Sequence, residues 1–252
     1  MEKTIDIKGS EKTIEQMFKA GAHFGYSKTR RHPSVKSFIF GVKNGVEIFD
    51  LEKTSVLLEK AKNFVKLLAS ENKQVLFVAS KTEAQKILSA GASSINAPYV
   101  AGRWIGGTVT NFTEVKKRID RFQKLEDDKE KGLLGKYTKK ERLLLDREIE
   151  KLGRKFSGLT PLEKLPAALF VIDPKKEMIA IKEALVKKIP IIALASSDCD
   201  INDINYPVLA NDSSRISIQF FVDEIVAAYE EGKKMMPKKE TTEAIKTKQV
   251  EK

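Results

Sequence analysis

Two kinds of apolar pattern alternate along the chain. The runs QVLFVAS, PYVAG, AALFVID, IPIIALAS and YPVLA are continuously apolar, with no polar residue at every second position. Stretches between them repeat apolar residues every three or four positions. A short continuous apolar run followed by a helical pattern predicts a strand buried on both faces of a parallel sheet. Five such strands are predicted, near residues 75–79, 98–101, 168–172, 190–195 and 206–209, with right-handed crossovers. The segment TSVLLEKAKNFVKLLAS places Leu57, Ala61, Phe64, Val65 and Leu68 on one helical face, and the last helix aligns Ile218, Phe221, Val222, Ile225 and Tyr229. Helices are also predicted for KTEAQKIL, with Thr82 and Gln85 at capping distance, and for PKKEMIAIKEALVKK. Upstream, TIEQMFKAG reads as a short helix opened by Thr13 and Gln16 and stopped at Gly21. The two β-rich runs around KNG predict a hairpin, because Asn44-Gly45 tolerates positive φ at both turn positions.

Residues 111–156 interrupt this alternation with no strand pattern. Asn111 and Glu114 have capping-box spacing, and Phe112, Val115, Ile119, Phe122 and Leu125 form a stripe. After DDKEKGLLGKY, a second stripe runs through Leu145, Ile149, Leu152 and Phe156. Two such stripes joined by a turn predict an antiparallel helical hairpin, packed as a short coiled coil. The expected organisation is an α/β domain over 1–110 and 157–232, the hairpin over 111–156, and a basic tail over 233–252. The tail carries too little apolar surface to offset its ordering entropy, so disorder is expected there.

Composition narrows the function. The chain has 252 residues and 41% hydrophobic residues, enough for a large core. No apolar run approaches the roughly 18 residues that span a bilayer, and the polar N-terminus does not read as a secretory signal. A lone Cys199 forms no internal disulfide, so the cytoplasm is the expected compartment. The net charge is +11, and the tail's seven lysines against three glutamates account for only +4 of it. The remaining +7 belongs to the folded body, which favours a polyanionic partner.

An enzyme reading finds little to stand on. Neither G-x-x-x-x-G-K-[ST] nor G-x-G-x-x-G occurs, and GRWIGG carries a bulky Trp-Ile where a pyrophosphate would approach. Cys199 lies among Asp198, Asp200 and Asp203, neighbours that oppose a thiolate. Those aspartates have hard oxygens that suit a cation, although a solvated loop explains them as well. Asp173 before Pro174 fits a helix N-cap. A small-molecule enzyme acting at the strand ends near Asp173 and Asp198 stands as the rival reading.

A nucleic-acid reading rests on three stretches. YSKTRRHPSVK is a loop with Lys28, Arg30, Arg31, His32 and Lys36, and arginine there suits bidentate phosphate contact. GRWIGGTVTNF offers Arg103, Thr108, Thr110 and Asn111 beside Gly106 and Gly107. Its glycines either let backbone amides approach a phosphate or only let the chain turn tightly. Trp104 either stacks on a base or joins the core. The face EVKKRIDRFQK supplies Lys116, Lys117, Arg118, Arg121 and Lys124. It is suited to tracking a phosphate backbone, or is simply a solvated helix face.

The stretches AGAHFGYSKTRRHPSVKSFIFGVKNGVEIFDLEKT, YVAGRWIGGTVTNF, LPAALFVIDPKKEMIAIKEA and IPIIALASSDCDINDINYPVLANDSS, in that order between about Met17 and Tyr229, resemble the bacterial form of small-subunit ribosomal protein two. The resemblance implies a Rossmann-like three-layer α/β domain with a five-stranded parallel sheet and an inserted antiparallel coiled-coil hairpin. It implies a structural ribosomal protein on the small subunit, between head and body, with no enzymatic activity, cofactor, metal, membrane or small-molecule substrate. The implied partners are small-subunit ribosomal RNA and neighbouring small-subunit proteins, including the large mRNA-binding protein one, which the family helps to dock. Carried over by motif, the RNA-contacting residues are Arg30, Arg31 and Lys36, with Lys28 in the same loop, and Arg103, Thr110 and Asn111 around the glycine pair. Lys116, Lys117 and Arg121 on the first hairpin arm follow. The chain departs from many relatives in reading HFGY, ending at Tyr26, where they read HFGH.

Overall fold

The computed structural model describes residues 7–235. Its centre is a five-stranded sheet of β4 (Val75–Ala79), β5 (Tyr99–Ala101), β6 (Ala168–Ile172), β7 (Ile191–Ala195) and β8 (Tyr206–Leu209). All neighbours pair in parallel in the order β5-β4-β6-β7-β8. These five strands match the five continuous apolar runs. The order reverses direction between β4 and β6, which makes that gap the topological switch point of a doubly wound sheet.

The central strands alternate between two cores. Val75, Phe77, Ala79, Phe170, Ile172 and Leu194 face one, while Leu76, Val78, Leu169, Val171, Ile191 and Ala193 face the other. The first is covered by α1 (Ile7–Lys19), α2 (Leu51–Ser70), α3 (Thr82–Ser94) and α7 (Arg215–Lys234). The second is covered by α6 (Met178–Val186), by the bases of α4 (Phe112–Glu130) and α5 (Lys139–Phe156), and by residues 104–109. Burial of both faces explains the missing polar alternation.

A second sheet, in the order β1-β3-β2, joins β1 (Phe24–Ser27), β2 (Ile39–Lys43) and β3 (Val46–Phe49). The KNG hairpin forms as predicted, with φ of 51° at Asn44 and 78° at Gly45 and Lys43 opposite Val46. The third strand, β1, has no counterpart in the sequence pattern. Its four residues are bounded by no alternation, and it pairs with β3 across a register shift.

Helix starts differ most from expectation. α1 begins at Ile7, so Thr13 is internal to it. Asn111 makes no side-chain capping bond to α4; Glu114 pairs with Lys117 instead. α3 starts at Thr82 with Lys81 as its N-cap and no side-chain capping bond, and Gln85 donates to the Ser80 carbonyl. A true capping box opens α5, where Thr138 and Glu141 exchange bonds. α4 ends at a turn with Gly132 at φ 69°. Two ion pairs, Arg121–Glu148 and Lys129–Asp146, both 2.7 Å, link α4 to α5. Gly153 of α5 lies against the Phe122 ring. α7 runs to Lys234, past the predicted start of the tail, and Lys233 donates to the Ile95 carbonyl at 2.9 Å. The remainder of the predicted tail, from 236 on, lies outside the described residues.

α2 and α7 approach closely at Gly232, where an added Cβ would fall on the Lys66 carbonyl and 2.6 Å from Ala69 Cβ. Both neighbours are rigid parts of a helix, so relief requires the helices to separate. Gly232→Ala is expected to lower unfolding stability by about 1–3 kcal/mol, the usual range for overpacking. Urea denaturation checks it; an unchanged midpoint would mean that α7 frays there at no cost.

Candidate nucleic-acid interface

The glycine loop leaves β5 at the C-terminal edge of the sheet, and the Gly102 amide donates to the Ala79 carbonyl at 2.9 Å. Trp104 then turns inward and is 6% exposed, so of its two readings the core one holds. The loop closes around Glu183, a buried residue of α6. Trp104 Nε1 and the Gly107 amide donate to Glu183 Oε1 at 3.0 and 2.8 Å. The Val109 amide, the Thr110 amide and Thr110 Oγ1 donate to Oε2 at 3.0, 3.0 and 3.1 Å. Burial pushes this carboxyl up, but the indole and the backbone donors more than reverse the effect and hold it below the ordinary carboxylate value. The loop is therefore an anion nest whose anion belongs to the chain itself.

The two glycines do different jobs. Gly107 has φ +91°, a conformation L side chains rarely adopt, and its amide is one of the Glu183 donors. Gly106 has no neighbour within 4 Å of a built Cβ and no positive φ. Of the residues expected to face RNA here, Thr110 commits both its amide and its hydroxyl to Glu183. Arg103 and Asn111 are exposed, and neither side chain has a partner within the described residues.

The basic loop is moulded onto the segment that leaves β7. The Tyr26 amide donates to Ser197 Oγ at 2.9 Å, and the His32 amide to the Ser197 carbonyl at 2.8 Å. Two short 3-10 turns, Lys28–Arg30 and Pro33–Phe38, carry the cations. Between and beneath them, His32 Nδ1 bonds Ser34 Oγ at 2.8 Å, and Val35 is fully buried. Lys28, Arg30 and Lys36 are exposed and make no ion pair among the described residues. The Arg30 guanidinium lies 5.8 Å from the centre of the Tyr26 ring. Arg31 differs from them, because its Nη1 donates at 3.0 Å to Glu47, a fully buried residue of β3. Nothing in the local pattern points to Glu47, which sits sixteen residues away across the hairpin.

On α4, the predicted cations are partly matched by acids of α4 and α5. Lys116 reaches Asp120 at 3.4 Å and the Leu162 carbonyl at 3.2 Å. Lys117 pairs with Glu114 at 2.7 Å, and Arg121 grips both oxygens of Glu148 at 2.7 and 3.1 Å. Exposed pairs of this kind contribute only about 0.2–1 kcal/mol, so these cations can exchange partners. Arg118 and Lys124 are exposed without an acid partner among the described residues.

The strand ends hold a buried ion cluster. Lys81, after β4, places its ammonium 3.4 Å from Asp173 and 3.1 Å from Asp212. Tyr26 Oη at 3.3 Å and Ser213 Oγ at 3.2 Å complete its shell. Burial alone would pull the ammonium down; Asp212 and then Asp173 reverse this and raise its pKa. Asp173 takes φ 62° and accepts from the Lys176 amide, so it caps the turn ahead of α6, and Glu177 is the residue that precedes the helix itself. Burial pushes the Cys199 thiol up to about 12, which keeps it protonated. Asp198 is bound by Lys175 at 2.9 Å. Asp200 lies 3.7 Å from His32. No group of three or more metal-ligating side chains is assembled among the described residues. No described helix is long and apolar enough to cross a membrane.

A family model described as Ribosomal protein S2 matches residues 17–232. Similar curated proteins carry the name Small ribosomal subunit protein uS2. The one from Dictyoglomus thermophilum is 44% identical over 225 residues, covering 89% of this chain and 92% of its own length. That from Maridesulfovibrio salexigens is 38% identical over 240 residues, covering 95% and 93%. That from Helicobacter hepaticus is 41% identical over 221 residues, covering 88% and 84%.

The nest makes two predictions. Gly107→Ala is expected to cost about 1–3 kcal/mol through strain at positive φ, whereas Gly106→Ala changes stability little; thermal unfolding of the pair checks this, and equal effects would refute the division of roles. Glu183 has a depressed folded-state pKa against an ordinary value of 4.5. Its carboxylate therefore adds stability above pH 4.5, and that contribution is lost as pH falls through the lower folded value. The stability gap between wild type and Glu183→Gln should narrow on acidification below that point, as read by denaturation at stepped pH. A gap independent of pH would show that the charge itself contributes nothing.

Proposed function

The chain belongs to the ribosomal protein S2 family, and from that premise we propose that it binds small-subunit ribosomal RNA through the basic loop, the glycine loop and the first arm. Family membership makes it a structural component of the small ribosomal subunit rather than an enzyme. The observation that carries the RNA reading is that the basic loop, the glycine loop and α4 each hold exposed cations with no acid of the chain to answer them. Lys28, Arg30 and Lys36 on the basic loop, Arg103 on the glycine loop, and Arg118 and Lys124 on α4 are all exposed, with no acid partner among the described residues. Phosphates bring the counter-charge these residues lack, and loop arginines suit their geometry.

The proposed contacts divide by how each residue is held. Lys28, Arg30, Lys36, Arg103 and Asn111 reach RNA directly. Lys116, Lys117 and Arg121 reach it by exchanging their present acid partners for phosphate. Arg31 and Thr110 act from within, Arg31 by tying the basic loop to Glu47 and Thr110 by closing the glycine loop on Glu183. Residues 111–156 serve as an inserted arm, against which the sheet domain presents its two loops. The position between head and body of the subunit, and the docking of the mRNA-binding protein one, extend this reading from the family resemblance.

Removing Lys28, Arg30 and Lys36 together is the direct test, since none of their side chains makes an ion pair or a hydrogen bond among the described residues. The triple alanine variant should bind small-subunit ribosomal RNA more weakly. Its plot of log affinity against log salt should flatten by about 2–3, at roughly 0.7–0.9 for each phosphate no longer neutralised. In parallel, the wild-type protein should comigrate with small subunits on a sucrose gradient and be released as salt rises. An unchanged salt slope would remove the basic loop from the interface. Sedimentation only in the soluble fractions at low salt would overturn the ribosomal reading.

A further inference from the structure

Anion nests of this kind usually await a ligand, and this one is filled from within. The Glu183 carboxylate takes bonds from Trp104, Gly107, Val109 and Thr110, four residues of one loop, using both oxygens. Glu183 lies on α6, more than seventy residues further along the chain than any of these donors. The clamp therefore fixes the loop against a different layer of the fold. On either side of the clamped segment stand Arg103 and Asn111, exposed and without side-chain partners among the described residues. α4 starts at Phe112, two residues after Thr110, and so inherits its starting direction from the same clamp.

We propose that Glu183 is a positioning residue for RNA binding: a built-in carboxylate that occupies the loop's anion nest, closes the nest to external phosphate, and fixes Arg103 and Asn111 for contact with RNA. This rests on the RNA reading above. The physical reason is the cost of the alternative. A loop whose amides face no acceptor must either reorient them to water or capture a passing anion, and both displace the side chains at its ends. With Glu183 in place the donors are satisfied before RNA arrives, so binding need not order the loop. The glycine loop then contributes to RNA recognition through its flanking side chains, and its amides serve the fold.

Trp104 is the chain's only tryptophan, and its indole N–H is one of the five donors, so its emission reports the clamp directly. Glu183→Ala should change Trp104 emission and weaken binding to small-subunit ribosomal RNA by about tenfold, a size typical of coupled neighbours. Sodium formate should enter the vacated nest and restore both signals, whereas sodium chloride at equal ionic strength should not. The wild type should respond to neither formate nor inorganic phosphate. Because Glu183 acts through Arg103, adding Glu183→Ala to Arg103→Ala should cost clearly less than it costs alone. If the alanine variant does not fold, Glu183→Gln carries the same cycle, since it keeps the shape and an acceptor while losing the charge.

Altered Trp104 emission with unchanged RNA affinity would overturn the positioning role. So would an equal loss of affinity in the Arg103→Ala background, because that marks a general destabilisation. Formate without effect on Glu183→Ala would overturn the nest. If the wild type itself shows no salt-dependent RNA binding, the RNA reading fails and the positioning role fails with it; the formate response of Trp104 then judges the nest alone.

Discussion

The bond set around Glu183 is the constraint on which the candidate interface depends. A parallel sheet buried on both faces sets the positions of α6 and the end of β5, but leaves the loop from β5 to α4 free to take many courses. One carboxylate removes that freedom. It gathers donors from Trp104 to Thr110, and Trp104, Val109 and Val115 then pack into the second core beneath them. Removing the charge from water is costly, and the site is stable because directed donors take the place of its hydration shell. The path from β5 to α4 is thus set by polar bonds that the apolar core alone would not specify.

Much of the fold was legible because the strands are simple. Each central strand is short, apolar and buried on both faces, and those properties are written in consecutive residues. The Asn44-Gly45 turn was equally local, since positive φ at two adjacent positions restricts which residues can stand there. Helix starts were less legible. Capping-box spacing occurs at Asn111–Glu114, where the acid is drawn away by Lys117, and at Thr138–Glu141, where nothing competes and the box forms. Spacing alone does not contain that competition.

The candidate site was legible as a set of cations and illegible as a set of partners. Arg30 and Arg31 are neighbours in a run of basic residues, yet one is exposed and the other is bound to a buried glutamate. Glu47 and Glu183 both sit in apolar surroundings, on β3 and α6, where a charged residue reads as one turned toward solvent. A buried acid facing inward signals a donor elsewhere, and only the tertiary fold says which. The net charge of +11 is similarly divided. Lys81, Arg31, Lys62 and Lys175 answer acids of the chain itself, while Lys28, Arg30, Lys36, Arg103, Arg118 and Lys124 are among the exposed cations left unmatched.

The same logic explains how a sheet of nucleotide-binding topology serves a structural protein. In doubly wound folds, ligands enter where the strand order reverses, beyond the carboxyl ends of the strands. Here Lys81 follows the end of β4 and Asp173 follows the end of β6, and the two residues pair across that gap. Asp212, following β8, and Tyr26, from β1, close on the same ammonium. The place where a phosphate or a cation would be held is thus taken by a lysine that neutralises two buried carboxylates. Glu183 does the equivalent at the glycine loop with the opposite charge. The ionic sites at the strand ends and at the glycine loop are thus both filled by the chain's own side chains, so the charge left for a partner is carried by exposed cations, those of the basic loop, the glycine loop and α4 among them.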